Sequence, residues 1–525
     1  MRYSHLVAGL LTSALNMGLL LPVQAQESGE SLFRMDIKAP ILFSGGNGDT
    51  SGETPPIETQ NPLTISLQGT SPFEVNVGEP MSAIDLRHFA TVDGDPNVTN
   101  ADLTWTASTP GDLPPGVTLS GSSLLGTPTT VNSYDFEIVA SHPDAADAGR
   151  QVYTIIVNGV ELKVKEIAVG SSHTCALTTA GGVKCWGHNG SGELGNDDTL
   201  INHHTPVDVD GLTSGVASIS SGSSHTCALT IAGGVKCWGN DSYGQLGNDE
   251  TMKQQSVPVD VYGLTSGVAS ISAGSQHTCA VMITGRAKCW GYDYYGQAGH
   301  NPVAGYSYKT TPVNVQGITE TISSISAGGG HTCALTTEGG VKCWGRDNEG
   351  QLGDDATLKT QPRPVDVYGL TSGVASISAG DGYTCAVMNT GRAKCWGADN
   401  FGQLGNDDTL QRQPRPVDVY GLTSGVASIS ARGAHTCAVM NTGGAKCWGR
   451  DNEGQLGDDA TLKTQPRPVD VYGLTSGVAS INAYGYHTCA VMTSGDAKCW
   501  GLDAWGQLGN GPTSSNQPTP TDVLF

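Results

Sequence analysis

Positive charge is scarce in this chain of 525 residues: 27 Lys and Arg stand against 49 Asp and Glu, giving a formal net charge of −22. Nucleic-acid binders and polybasic membrane binders need clustered cations, so the composition argues against both. Charged residues of either sign make up only 14% of the sequence, which argues against a chain disordered throughout. Helical periodicity is also lacking, and the 72 glycines would cost about 1 kcal/mol each inside helices relative to alanine. A turn-rich, all-β protein is the expectation. Zinc sites use short Cys-x₂-Cys spacings, and none occurs. No serine-histidine-acid spacing, phosphate loop or catalytic carboxylate pair is evident, so the expectation is a protein that is not an enzyme. A channel enzyme would need acid-base groups in a minority of repeats, and these are not evident either.

Arg2 precedes an apolar stretch from Leu6 to Val23, which ends in the small-x-small sequence Val23-Gln24-Ala25. Residues 1–25 therefore read as a secretory signal peptide. Losing Arg2 would leave 26 basic against 49 acidic residues, a mature charge of −23. The remainder has no apolar run of spanning length, so the expectation is a secreted, periplasmic or cell-surface protein in a disulfide-permissive compartment. Residues 26–61 carry Gly45-Gly46, Pro55-Pro56 and scattered polar residues, and read as a linker or tail.

Period-two alternation begins at Leu63, Ile65 and Leu67 and returns at Phe73 to Val77, Leu103 and Trp105, Phe136 and Ile138, and Val152 to Val157. Such runs between turn residues predict a small β-sandwich over 62–158. Leu113-Pro114-Pro115-Gly116-Val117-Thr118-Leu119, followed by Leu125-Gly126-Thr127-Pro128-Thr129 and Tyr134 to Val139, resembles the immunoglobulin-like, cadherin-like domain of bacterial surface proteins. That resemblance implies a spacer or adhesive unit. The Asp93-Gly94-Asp95 sequence reads as a polar turn, with Ca²⁺ binding as the alternative, because no full oxygen-ligand set can be read around it.

The rest is a repeat array of seven units. The first cysteine of each unit is Cys175, Cys227, Cys279, Cys333, Cys385, Cys437 or Cys489, at spacings of 52 or, once, 54 residues. Residues 345–377 recur unchanged at 449–481, so identity between units partly reflects internal copying. Each unit has short β segments and glycine turns and is too small to bury a core alone, so units must stack. About 50 residues and four strands per unit is the size of a propeller blade.

Placing Cys227 opposite Cys237 sets Leu229 opposite Val235 and leaves a three-residue loop ending at Gly233. A loop of that length wants a left-handed third residue, which glycine supplies. Gly181, Gly233, Gly285, Gly339, Gly391, Gly443 and Gly495 all hold this place. Directly opposed residues in a non-hydrogen-bonded antiparallel pair lie about 4.5 Å apart, within disulfide reach. Seven bridges follow: Cys175–Cys185, Cys227–Cys237, Cys279–Cys289, Cys333–Cys343, Cys385–Cys395, Cys437–Cys447 and Cys489–Cys499. Each is worth about 2 to 3 kcal/mol by chain entropy.

The recurring I-S-A-G-x-x-H-T-C-A, G-x-x-K-C-W-G, G-Q-L-G and P-V-D-V resemble the regulator of chromosome condensation repeat over 160–525. The resemblance implies a seven-bladed propeller. It also implies chain ends joined in one blade, with Val160 to Val169 beside Pro520 to Phe525. The paired cysteines and acidity depart from the family pattern. Nucleotide exchange on a nuclear GTPase is the alternative by descent, and an exported chain would lack that partner. A secreted inhibitor similar to the β-lactamase inhibitory protein of this fold is another alternative.

His173, His225, His277, His331, His435 and His487 share one repeat position, with Tyr383 in the fifth unit. Tyrosine as a substitute favours a filler bonded to backbone between blades over a metal ligand. The tryptophans from Trp186 to Trp500 are expected between blades. Aromatics vary in the loop after Trp-Gly: Tyr243, Tyr295, Phe401 and Trp505 share one place, and Tyr306 and Tyr308 lie in a longer third-unit loop. They are the candidate anchors for a protein or glycan ligand on one propeller face. Asp241, Asp347, Asp354, Asp355, Asp407 and Asp408 lie nearby and read as turn residues, with Ca²⁺ as the lesser alternative. No other cofactor is expected, and the mature chain is expected to be monomeric.

Overall fold

The computed structural model describes residues 62–525 except 70–71, 78–79, 108–112, 131, 159–161, 198–200, 250–251, 301–307, 356–357, 407–410, 460–461 and 513–514. The signal-peptide and linker readings, Tyr306, Asp407 and Asp408 thus lie outside the described residues. Two compact units form. One takes the segments up to Phe73, Met81–Gly126 and Ser133–Ile155, and the other is chiefly Ile156–Phe525. Among the described residues every strand pairing between named strands is antiparallel, and the only helical element is a single 3₁₀ turn at Leu86–Phe89.

Three small sheets make the amino-terminal unit. Phe73–Asn76, Gly149–Asn158, Asn132–Ser141 and Thr104–Ala107 pair in that order. Thr64–Leu67 pairs with Ala90–Asp93, and Ile84–Asp85, Ser123–Gly126 and Val117–Ser120 form the third sheet. Their alternating apolar residues point inward: Leu63, Leu86, Trp105, Leu124, Phe136, Ile138, Tyr153 and Ile155 are buried.

The larger unit consists of seven four-stranded sheets, each from four consecutive strands. They span Val164–Asp208, Val216–Asp260, Val268–Asn314, Ile322–Asp366, Val374–Asp418, Val426–Asp470 and Val478–Asp522, here blades 1 to 7. In blade 2 the strands run Val216–Ser221, His225–Thr230, Val235–Gly239 and Gln255–Asp260 from the axis outward. Innermost strands of successive blades are neighbours all the way round, and that of blade 7 lies beside that of blade 1. The ring is closed.

The closure differs from the implied one. Both end blades are complete from consecutive strands, so Val164–Val169 pairs with His173–Thr178 and not with Gln517–Asp522. The chain ends still meet in one core cluster, where Val523 packs with Val164, Ile167 and Trp186. Packing, side-chain hydrogen bonds and main-chain bonds such as Val164 N–H to the Gly495 oxygen at 2.7 Å therefore close this ring without a shared sheet.

Within each blade the cysteine pair lies opposed in the two middle strands, as Cys227↔Cys237 with Leu229↔Val235. Seven disulfides join these pairs, with Cα atoms 4.1 Å apart in blade 2. The hairpin glycine takes a left-handed conformation, φ 80° at Gly233, where other side chains are strained. Trp290 of blade 3 is fully buried in one cluster with Cys227, Leu229, Cys237 and Leu246 of blade 2. The same clustering recurs around the ring.

Candidate functional site

Blades are joined by a buried clasp. His225 Nε2 lies 2.9 Å from Thr278 Oγ1 of the next blade, while that Thr hydroxyl donates to the Gln245 main-chain oxygen at 2.9 Å. With its proton committed to the carbonyl, the Thr oxygen accepts, so the imidazole carries its proton on Nε2. Trp290 Nε1 donates to the same carbonyl at 2.9 Å. This explains Gly-Gln-Leu-Gly: Gln presents its carbonyl to the next blade, and at Gly247 (φ 69°) a Cβ would stand 2.6 Å from the Trp290 ring. The histidines therefore bond a threonine hydroxyl of the next blade rather than its backbone. Only Tyr383 reaches backbone, donating to the His435 oxygen at 2.5 Å. Burial holds the imidazoles well below their ordinary pKa, at about 3 for His225, His277, His331, His435 and His487 and about 4 for His173. They are neutral structural groups.

The turns after the innermost strands and the loops after Trp-Gly emerge on one face of the ring. Here the candidate anchors stack on the blade that follows. Tyr243 packs on Tyr292 (ring centroids 4.9 Å), Tyr295 lies under the Arg346 guanidinium at 5.7 Å, Phe401 under Arg450 at 5.2 Å, and Trp505 against His188 of blade 1 at 5.3 Å. Tyr243, Tyr295 and Phe401 are half-buried in consequence, Trp505 is exposed (43%), and the half-buried Tyr308 opens the outer strand of its own blade opposite Tyr292. Tyr294 adds an exposed ring 5.0 Å from Tyr295. The aromatics form stacked pairs across blade boundaries, not a row of free rings.

Two residues at the channel escaped the sequence reading. Five blades carry glycine at the end of the innermost strand (Gly170, Gly222, Gly274, Gly328 and Gly380), and blades 6 and 7 carry Arg432 and Tyr484. At Gly222 a Cβ would lie 2.3 Å from the Gly274 oxygen. Blades 6 and 7 escape that clash by extending the strand by one residue and turning at Gly433 (φ 61°) and Gly485 (φ 55°). Arg432 then crosses the axis, donating to the main-chain oxygens of Ser221 at 2.6 Å, of Ala273, and of Ala327 at 3.2 Å. Tyr484 stacks on its guanidinium at 4.9 Å, with its hydroxyl 2.6 Å from Ser223 Oγ and 2.9 Å from Ser275 Oγ. The pair stoppers the channel. The break in a glycine column was the readable signal.

The stopper separates two spaces. One, about 260 Å³, is lined by Ser220, Ser272, Ser326, Ser378 and Ser430, with Glu166 and Arg432 as its charged groups. Its serines accept N–H bonds from the next blade, as Ser220 Oγ does from Ala273 at 2.9 Å. Burial pushes Glu166 up to about 7. The other space, about 490 Å³, is the mouth on the loop face, lined by Arg346, Asp381, Ala398, Phe401, Arg450 and Tyr486 among others.

A family model described as RCC1-like domain matches residues 140–431 and 255–524. The chain belongs to the RCC1-like domain family. Among RCC1-like relatives, the Arabidopsis thaliana ultraviolet-B receptor UVR8 is 29% identical over 66% of this chain and 79% of its own. The Xenopus laevis regulator of chromosome condensation is 27% identical over 65% of this chain and 84% of its own. Among solved structures, Prp20p from Saccharomyces cerevisiae has a TM-score of 0.56 at 22% identity, covering 69% of this chain and 88% of that one. That likeness shows the fold.

The remaining candidates of this RCC1-like chain have structural partners. Asp347 Oδ1 accepts the Leu352 N–H at 2.9 Å, and Asp241 does the same for Leu246. Asp355 pairs with Arg415, and Asp95 caps the Asn97 N–H at 2.8 Å. Among the described residues no group of three or more His, Cys, Asp and Glu is placed to hold a metal ion. The Val-Tyr-Gly tyrosines at the ends of outer strands were also overlooked. Tyr262, Tyr368, Tyr420 and Tyr472 are 52–63% exposed, and Tyr368 and Tyr420 stack under Arg415 and Arg467 of the next blade.

Proposed function

We propose that this chain is an exported or cell-surface binding and scaffold protein whose propeller holds a protein ligand on the loop face. The observation that carries this reading is the loop-face mouth, where Phe401, Tyr484, Tyr486, Arg346 and Arg450 surround a recess of about 490 Å³. Aromatic residues and arginine dominate binding hot spots. The stoppered channel directs a ligand to the surface instead of through the ring. Protein binding is also described for a structural neighbour: yeast RCC1 (Prp20) has been crystallised with Kap60 and is described by its binding to Gsp1p and histones. Those partners are not carried over to this chain.

Seven hairpin disulfides suit an oxidising compartment, which supports export through residues 1–25. The amino-terminal unit serves in this reading as an immunoglobulin-like spacer. Affinity capture from cell-envelope and host extracts, using the oxidised full chain, tests the role. A specific protein partner lost in a Tyr295→Ala, Phe401→Ala, Trp505→Ala variant is expected; equal capture by that variant would overturn the choice of face.

A further inference from the structure

We infer that the loop-face mouth takes paired acidic side chains of a partner protein, with Arg346 and Arg450 as the anion-binding groups. This inference rests on the protein-binding reading above and names the chemistry of its ligand.

The half-buried lysines of the blades are mostly spent on neighbours. Lys184, Lys236, Lys342, Lys394, Lys446 and Lys498 each pair with an Asp of the outer strand at 2.5–2.8 Å. Arg346 and Arg450 differ. Among the described residues neither has a carboxylate partner, and the Nε of each is buried without a hydrogen-bond partner. Arg450 is held between Phe401 and Tyr486, at 5.2 and 4.7 Å, and donates to Tyr486 Oη at 3.3 Å. Arg346 is braced on Tyr295 at 5.7 Å. Flat packing fixes both guanidiniums before a ligand arrives, which lowers the ordering cost of binding.

Position reinforces this. The two arginines stand at one repeat place in blades 4 and 6, and blade 5 between them has Ala398, so a gap opens between two cations. Among the described residues Asp381 is the only carboxylate lining the recess, where Ser275 Oγ donates to it at 3.4 Å. Glu349, beside Ala398, faces Arg412 at 3.9 Å instead. The mouth is thus a cationic spot on a chain of net charge −22. A glycan fits less well, since sugars stack on open aromatic faces and the guanidiniums already cover Tyr295, Phe401 and Tyr486.

The test titrates the oxidised full chain into three fluorescein-labelled pentapeptides and follows anisotropy at about 50 and about 300 mM NaCl. They are Gly-Glu-Gly-Glu-Gly amidated, its Gln counterpart amidated, and the Gln peptide with a free carboxyl terminus. The expected result is salt-sensitive binding of the Glu peptide alone, weakened tenfold or more by Arg346→Gln with Arg450→Gln. Should the double variant unfold, Arg346→Gln alone is measured, with the same loss expected. Equal binding of Glu and Gln peptides, binding only through the free carboxyl terminus, or unchanged affinity in the variant would overturn the inference. If the full chain still captures a protein whose binding ignores both arginines, this inference fails and the protein-binding role stands; if it captures none, that role fails first.

Discussion

His487 of the last blade and Thr174 of the first, 313 residues apart, are joined by a hydrogen bond of 2.9 Å between Nε2 and Oγ1. The same bond joins His277 to Thr332 inside the array at 2.9 Å. The ring therefore closes with the His–Thr clasp found at five of its other boundaries, Tyr383 serving the sixth. Thr174→Val leaves the His487 Nε2–H buried and unpaired, and a loss of about 1–3 kcal/mol is expected in denaturant unfolding. Thr332→Val should cost a similar amount. A closure variant without effect would show that the end blades are not clasped.

Acid should weaken the ring through these histidines. Their folded pKa of about 3 lies below the ordinary value of about 6.5, so folding favours the neutral ring. That stability is complete above about pH 6.5 and is lost as pH falls toward about 3, by about 1.4 kcal/mol per pH unit for each histidine. Melting curves from pH 3 to 8 should show His277→Gln losing stability less steeply than the parent chain. Parallel curves would contradict the buried, neutral assignment.

Asp451 works in the opposite sense. Burial raises it to about 7 while its Oδ1 accepts the Leu456 N–H at 2.9 Å, so its contribution is present below the ordinary carboxylate range and lost as pH rises through about 7. Blade 1 has Asn189 at this place, with the same bond to Leu194 at 3.0 Å. Asp451→Asn should therefore raise the melting temperature at pH 8 and have little effect at pH 4. A loss at pH 8 would refute this.

Peptide mapping without reduction should find every cysteine linked to the one ten positions away. Free thiols or bridges between blades would contradict the hairpin register.

Repeat spacing, glycine turns and cysteine register made the blades readable, because each depends on residues within one hairpin. What the sequence hid depends on contacts between blades. Tyr243 and Phe401 were readable as aromatics at one loop place, but their stacking on Tyr292 and Arg450 needs the neighbouring blade in position. Arg432 and Tyr484 meet across the axis, 52 residues apart in sequence, so only the closed ring shows that they stopper it. The family's joined-end habit misled because the last strand here is filled by Gln517–Asp522 of the same repeat.

The binding face is tested most directly by comparing two variants in quantitative capture of a specific protein partner. One removes loop-face aromatics (Tyr295→Ala, Phe401→Ala, Trp505→Ala) and the other removes rim tyrosines (Tyr368→Ala, Tyr420→Ala, Tyr472→Ala). With both folded to the parent melting temperature, capture is predicted to fall at least tenfold in the first and to stay unchanged in the second. Retained capture in the first with loss in the second would place the ligand on the rim and contradict the account.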